Sequence, residues 1–147
     1  MQDGLLKLRE ETGAGVMDCK RAIADAKGDY AKAKALIEER GLTKAAKKRT
    51  RVTGAGLVYA YVHQDRVGVL LELRCETDFV ARTDDFRELA KELAMQIAAM
   101  DPETPKSLMA QEYVKDPLVT VEQLVKRTIA KVGENIQVAR FSRFSLS

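Results

Sequence analysis

Side chains able to carry out covalent chemistry are scarce in this chain of 147 residues, which contains one histidine and two cysteines. A cysteine nucleophile works with a nearby base, so the pair to consider is Cys75 and His63. Alternating apolar residues predict that the two lie at opposite ends of a two-stranded hairpin, about 25 Å apart at ~3.3 Å per residue. A thiol enzyme is therefore disfavoured. Because the sequence also offers no Ser-His-Asp set and no cluster of metal ligands, we predict no enzyme, metal site or cofactor.

The glycines at positions 13 and 15 do not continue into a phosphate-binding loop. A G-x-G-x-x-G pattern would need a third glycine where this chain has Asp18, and it would follow a predicted strand, which is missing here. Breaking one helix so that the next can begin is a sufficient role for these glycines.

The stretch from Cys75 to Arg82 has the character of a binding site rather than a catalytic one. It reads Cys-Glu-Thr-Asp-Phe-Val-Ala-Arg and joins the longest predicted strand to the longest predicted helix, which begins at an expected N-cap, Thr83. A turn between two such elements holds its side chains on a rigid base. Phe79, beside Asp78, is either an anchor for the local core or a side chain presented to a partner, and the residue types leave both interpretations open.

Three short helices are predicted in the first 43 residues. The second carries an apolar stripe that includes Val16 and Cys19 but not Met17, which should point towards solvent. An exposed methionine is typical of a contact surface. The third helix is expected to end at Gly41.

A basic segment, Lys44 to Arg51, follows these helices. The simpler interpretation is a solvated linker or helix face, and the alternative is a contact with RNA or an acidic partner, because clustered cations gain phosphate affinity from counterion release. The segment has no aromatic side chain on which a base would stack, and the formal net charge is only +3. We therefore expect no direct nucleic-acid binding.

The rest of the chain predicts two strands joined by a tight turn, then two helices and a final strand. All three prolines lie between Asp101 and Pro117, which indicates an irregular connection between the helices, and Thr120 begins the second helix with a capping box. The fold class is α+β, with an N-terminal three-helix module followed by a small antiparallel sheet packed with helices. The predicted units are a helical module at 1–43, a basic linker at 44–55 and an α+β core at 56–147.

Three separated motifs resemble the translation elongation factor Ts family, in that family's order. They are Thr12-Gly13-Ala14-Gly15-Val16-Met17-Asp18-Cys19-Lys20, Cys75-Glu76-Thr77-Asp78-Phe79-Val80-Ala81-Arg82 and Lys131-Val132-Gly133-Glu134-Asn135-Ile136. The helical module is similar to the ubiquitin-associated (UBA-like) module at the start of that family. The resemblance extends over nearly the whole chain.

The resemblance implies a guanine nucleotide exchange factor that acts by binding. In this family the protein binds the GDP form of elongation factor Tu and promotes GDP release and exchange for GTP during polypeptide elongation. The residues carried over as contacts with factor Tu are Thr77, Asp78, Phe79 and Val80, together with Arg9, Val16 and Met17, and with Val132, Gly133 and Glu134. Gly133 has a second explanation, since a helix C-cap needs a glycine there in any case.

The chain is shorter than many members of the family, which carry a second copy-like half of the core and a helical excursion between the core helices. Short members resemble this chain and form homodimers through the sheet, which implies a homodimer here with Phe141, Phe144 and Leu146 at the contact. No segment is apolar enough to cross a membrane, and the acidic residues near the N-terminus are unlike a signal peptide, so we expect a cytoplasmic protein.

Overall fold

Three helices open the chain in the structure, a computed structural model that describes residues 2–146. These helices are α1 (Gln2–Thr12), α2 (Val16–Asp25) and α3 (Tyr30–Lys47). They enclose a small core of their own, formed by Leu8, Cys19, Ala22, Ala26, Ala33 and Ile37. The predicted three-helix module is confirmed.

The later elements alternate between a sheet and the helices that cover it. In chain order they are β1 (Ala55–His63), β2 (Val67–Cys75), α4 (Asp78–Ala81), α5 (Asp84–Met100), α6 (Pro105–Ala110), β3 (Glu112–Tyr113), β4 (Asp116–Thr120), α7 (Val121–Val132) and β5 (Gln137–Ser145). The main sheet is antiparallel with the strand order β1-β2-β5. The α+β class is therefore confirmed.

Helix α3 does not end at Gly41 as predicted but continues to Lys47. A Cβ at residue 41 would lie 3.2 Å from the Cβ of Ala130 on α7. Glycine thus allows α3 and α7 to approach closely, and this packing outweighs its low helix propensity. One turn later Ala45 is buried in the main core, so residues 44–47 of the predicted linker are helical.

The hairpin of β1 and β2 has the register that the alternating pattern predicts. His63 pairs with Val67 beside the turn, while Ala55 pairs with Cys75 at the open end. Gln64 and Asp65 at the tip of the hairpin adopt positive φ angles of 51° and 58°. Two successive positive φ angles define the primed turn that matches the twist of paired strands.

Helix α5 packs on one face of the main sheet, and α7 packs in turn against α5 and α3. The largest fully buried side chains of this core come from β2, α5, α6 and α7 and are Leu71, Leu73, Cys75, Phe86, Leu93, Ile97, Leu108 and Val121. In the part of the chain that the structure describes, no helix covers the opposite face of the sheet, which exposes Val58, Val62, Leu70 and Phe144. Within residues 2–146, no helix is both long enough and apolar enough to cross a membrane.

The proline-containing segment is more regular than predicted. Pro105 occupies the first turn of α6, where its missing N–H costs no hydrogen bond, and Thr104 caps that helix with Ser107 as its capping-box partner. Residues 112–120 then form a short two-stranded pair, β3 with β4. The prediction of an irregular connection was therefore wrong for most of this segment, because Pro105 begins α6 and Pro117 lies near the start of β4. Only the short link that contains Pro102 is irregular.

Candidate functional site

The segment between β2 and α5 forms a one-turn helix, α4, which the sequence did not predict. Thr77 caps it by accepting a hydrogen bond from the backbone N–H of Val80 at 3.3 Å. Thr83 then caps α5 in the same way, accepting from Phe86 at 3.3 Å, which confirms the predicted start of that helix. Two caps six residues apart fix the path of the chain on both sides of Phe79.

The single turn of α4 divides its side chains between solvent and core. Phe79 is 81% exposed and Asp78 is also exposed, whereas Val80 is only 4% exposed and Ala81 is buried beside it. Val80 is therefore the anchor that packs on the local core, and the interpretation of Phe79 as that anchor was wrong. An aromatic ring held in water on a rigid turn is a strong candidate for a partner contact.

The loop after α7 holds this turn from outside the hairpin. Glu134 Oε1 accepts hydrogen bonds from the backbone N–H groups of Glu76 at 3.1 Å and Thr77 at 2.9 Å, and Glu134 Oε2 accepts from the Thr77 hydroxyl at 2.7 Å. In return, Glu76 Oε2 accepts from the backbone N–H of Asn135 at 2.6 Å. The motifs at 75–82 and 131–136 are therefore one structural unit.

Val132 and Gly133 complete the end of α7. Val132 is half-buried against the main core, and Gly133 adopts a left-handed conformation with φ 77° while its N–H donates to the carbonyl of Ile129 at 2.8 Å. The helix C-cap explanation of this glycine is confirmed. Glu76 and Asn135 were not predicted as functional residues, because neither residue type nor spacing signals a contact made through the backbone of a distant segment.

The other predicted contact residues lie in the helical module, at adjoining ends of α1 and α2. Met17 is 58% exposed, as its place off the apolar stripe predicted, and Arg9 is exposed as well. Val16 is 38% exposed although it belongs to the stripe, because it stands at the first residue of α2. These three side chains form a second accessible group, separate from the turn that carries Phe79.

The two thiols have the environment of core cysteines. Cys19 and Cys75 are fully buried, and burial is the main cause that raises the pKa of each thiol. Cys75 Sγ donates to the carbonyl oxygen of Thr77 at 3.2 Å, so it supports the turn as a neutral group. With His63 at the far end of the hairpin, this site does not favour the thiolate that a nucleophile needs.

The basic segment is partly neutralised by nearby carboxylates. Lys44 Nζ lies 3.5 Å from Asp18 Oδ1, and Arg51 lies 3.7 Å from Glu76. Lys44 also sits in the last turn of α3, where a cation offsets the negative end of the helix dipole. Each of these contacts serves the fold of the chain itself.

The family model for elongation factor TS matches residues 23–104 and, in a second match, residues 76–147. The elongation factor Ts of Fervidobacterium nodosum is 42% identical over 186 aligned positions, which cover 95% of this chain and 94% of that protein. The chain belongs to the elongation factor Ts family. It is accordingly a translation elongation factor, since that is what the members of this family are.

Other members of the elongation factor Ts family show the same similarity. The Heliobacterium modesticaldum protein is 42% identical, with 95% of this chain and 86% of that protein covered, and the Aquifex aeolicus protein is 47% identical, with 94% of this chain and 50% of that protein covered. In the Fervidobacterium alignment, 95% of 147 residues is about 140, so roughly 46 of the 186 positions have no counterpart here. This chain is therefore shorter within the aligned region, as the resemblance implied.

Proposed function

We propose that this member of the elongation factor Ts family is a guanine nucleotide exchange factor that binds GDP-bound elongation factor Tu in the cytoplasm and accelerates GDP release. The observation that carries the proposal is Phe79, an aromatic side chain 81% exposed on a turn fixed by two helix caps. The protein acts by binding and carries out no covalent step. It needs no cofactor of its own.

Exchange follows from the thermodynamic linkage between two ligands of one GTPase. If the exchange factor and GDP each bind factor Tu but weaken one another, then either displaces the other, and GTP completes the cycle. Phe79 inserts its ring between helices of the GTPase domain and disturbs the groups that hold Mg²⁺ and the phosphates. Loss of the metal removes the charge neutralisation on which phosphate binding depends.

Two further contacts fix the orientation of the exchange factor on its partner. Arg9, Val16 and Met17 dock the helical module at a second place on factor Tu, and the end of α7 at Val132 and Gly133 lies beside the first contact. Thr77 and Asp78 precede Phe79 on the exposed side of the turn, while Val80 anchors the turn in the core. Several separate contacts explain how a single inserted ring finds one position on the partner.

We also propose that the chain is a homodimer through the exposed face of its sheet. Val58, Val62, Leu70 and Phe144 lie on that face and are between 52% and 77% exposed, and Leu146 follows at its edge. Exposed apolar side chains grouped on one sheet face are typical of a protein contact. Phe141 does not belong to this contact, because it packs against the main core on the inner face.

The function is tested by following fluorescent GDP bound to purified factor Tu after excess unlabelled GDP is added, at fixed Mg²⁺. We expect this protein to accelerate the release of labelled GDP in proportion to its own concentration. Added GDP should in turn displace this protein from factor Tu. Release at the intrinsic rate in the presence of folded protein would contradict the proposal.

A further inference from the structure

Thr77 has two roles in the turn that carries Phe79, and Glu134 allows it to perform both. A threonine hydroxyl has one proton, and here it is donated to Glu134 Oε2 at 2.7 Å. The lone pairs of the same oxygen then face the backbone N–H of Val80 and make the cap that begins α4. Glu134 thus fixes the rotation of the hydroxyl that caps the turn.

Helix α4 depends on such support because it has only four residues. One helical turn is unstable alone, since its nucleation orders several residues for a single hydrogen bond. Its inward contacts come from Val80 and Ala81, while the half that bears Asp78 and Phe79 faces solvent. The direction in which Phe79 leaves the surface is therefore set largely by how Thr77 is held.

The loop that carries Glu134 is itself fixed from a second direction. Glu76 accepts from the backbone N–H of Asn135 at 2.6 Å, and the Asn135 side chain, only 2% exposed, donates to the carbonyl of Arg51 at 2.9 Å. The segment after α3, the end of α7 and the turn before Phe79 consequently share one hydrogen-bond network. A network in which every member has its partner favours a single arrangement of the three segments.

We infer that Glu134 is a positioning residue for nucleotide exchange, acting through Thr77 and α4 on Phe79 and not through contact of its carboxylate with the partner. The inference rests on the proposed role of Phe79. Both oxygens of Glu134 already accept hydrogen bonds from its own chain, one of them from two backbone donors. Turning towards factor Tu would break all three of these hydrogen bonds to the carboxylate.

A double-mutant cycle on the GDP-release rate tests the inference. We expect Glu134→Ala to lower the maximal release rate by about tenfold or more, the scale of one lost hydrogen bond to a charged group. In a Phe79→Ala background, Glu134→Ala should cause no further loss, because its effect passes through the same ring. Glu134→Gln can still accept from both backbone N–H groups through its amide oxygen, but its NH2 group cannot accept the Thr77 proton. Its release rate should therefore lie between that of Glu134→Ala and that of the wild type.

Three controls separate positioning from simple loss of stability. Glu122→Ala removes an exposed carboxylate from the other end of α7 and should exchange like the wild type. Amide hydrogen exchange at Glu76 and Thr77 should accelerate in Glu134→Ala while the sheet stays protected. Thr77→Val, which keeps the branched shape but lacks the hydroxyl, should reproduce the loss if Glu134→Ala does not fold.

The outcomes distinguish the inference from the proposed function. Wild-type exchange in Glu134→Ala, with Phe79→Ala impaired, overturns the inference alone. Additive losses in the double variant also overturn it, because Glu134 would then contact the partner independently of Phe79. Wild-type exchange in Phe79→Ala overturns the proposed role of Phe79, and the inference falls with it.

Discussion

Phe79 is four-fifths exposed, so its ring adds little to the stability of the free protein. Most of its apolar surface stays in water instead of being buried. The neighbouring Val80 shows that the turn can bury an apolar side chain when it is needed for packing. The difference between these adjacent residues is a property of the one-turn helix, which places consecutive side chains about 100° apart. Phe79 is consequently available at full size for a partner pocket.

Met17 allows a residue-scale test of the second contact. We expect Met17→Asp to weaken the affinity for factor Tu by about tenfold, because a carboxylate would be desolvated in an apolar contact. The maximal exchange rate at saturation should change little, since Phe79 still reaches its site on factor Tu once the complex forms. Binding titrations with labelled factor Tu measure the affinity, and GDP release at saturating exchange factor measures the maximal rate.

The matched control for Met17 is Leu118→Asp, which places the same charge at a side chain 94% exposed on the β3–β4 pair. It should bind like the wild type. Equal affinity of Met17→Asp and wild type would remove the helical module from the interface.

At the scale of elements, Glu92 joins α5 to the β3–β4 pair. Its carboxylate accepts from the Tyr113 hydroxyl at 2.5 Å and from Lys115 Nζ at 2.7 Å. Burial, the largest single influence, raises the pKa of Glu92, but the hydrogen bonds from Lys115 and Tyr113 together outweigh it and hold that pKa below its ordinary value of 4.5. The same pairing raises the pKa of Lys115.

This lowered pKa predicts a pH-dependent loss of stability. The charged form of Glu92 is favoured in the folded state, so its contribution is complete above pH 4.5 and disappears as the pH falls through the lower folded-state pKa. Glu92→Gln should therefore be less stable than the wild type at neutral pH, by about 1 to 3 kcal/mol, and the gap should narrow below pH 4.5. Urea denaturation of both proteins at several pH values measures this difference in the free energy of unfolding. A difference that does not change with pH would contradict the role of the Glu92 charge.

The main elements followed from local patterns in the sequence. Alternation predicted β1 and β2, and helical spacing after Thr83 predicted α5. Helix α4 was missed because one turn is too short to show a period. The extension of α3 past Gly41 was missed because it depends on the fit against Ala130, which no local pattern contains.

In the candidate site, too, the sequence predicted some features and missed others. Motif resemblance singled out Phe79 and Glu134 as separate contacts. Their link through Thr77 spans 57 residues and could not be predicted, since it uses backbone donors that every residue possesses. The sequence therefore indicated Phe79 and Glu134 as functional residues, but not the hydrogen bonds that connect them.

At the scale of the whole molecule, the uncovered sheet face predicts the state of association. We expect a dimer across the micromolar range in sedimentation velocity, and a monomer for Phe144→Asp, because a charge would be buried opposite the partner sheet. Leu118→Asp, with the same charge on the β3–β4 pair instead of the main sheet, should remain dimeric. A monomeric wild-type protein would contradict the dimer.

Exchange through the Phe79 ring is tested most directly by the maximal rate of GDP release from factor Tu at saturating concentrations of the Phe79→Ala variant. We predict a fall of about 30-fold or more relative to wild type, since an aromatic side chain that dominates an interface contributes about 2 kcal/mol or more. Leu118→Ala, which removes another exposed apolar side chain, should release GDP at the wild-type rate. A folded Phe79→Ala variant that also releases GDP at the wild-type rate would contradict exchange through this ring.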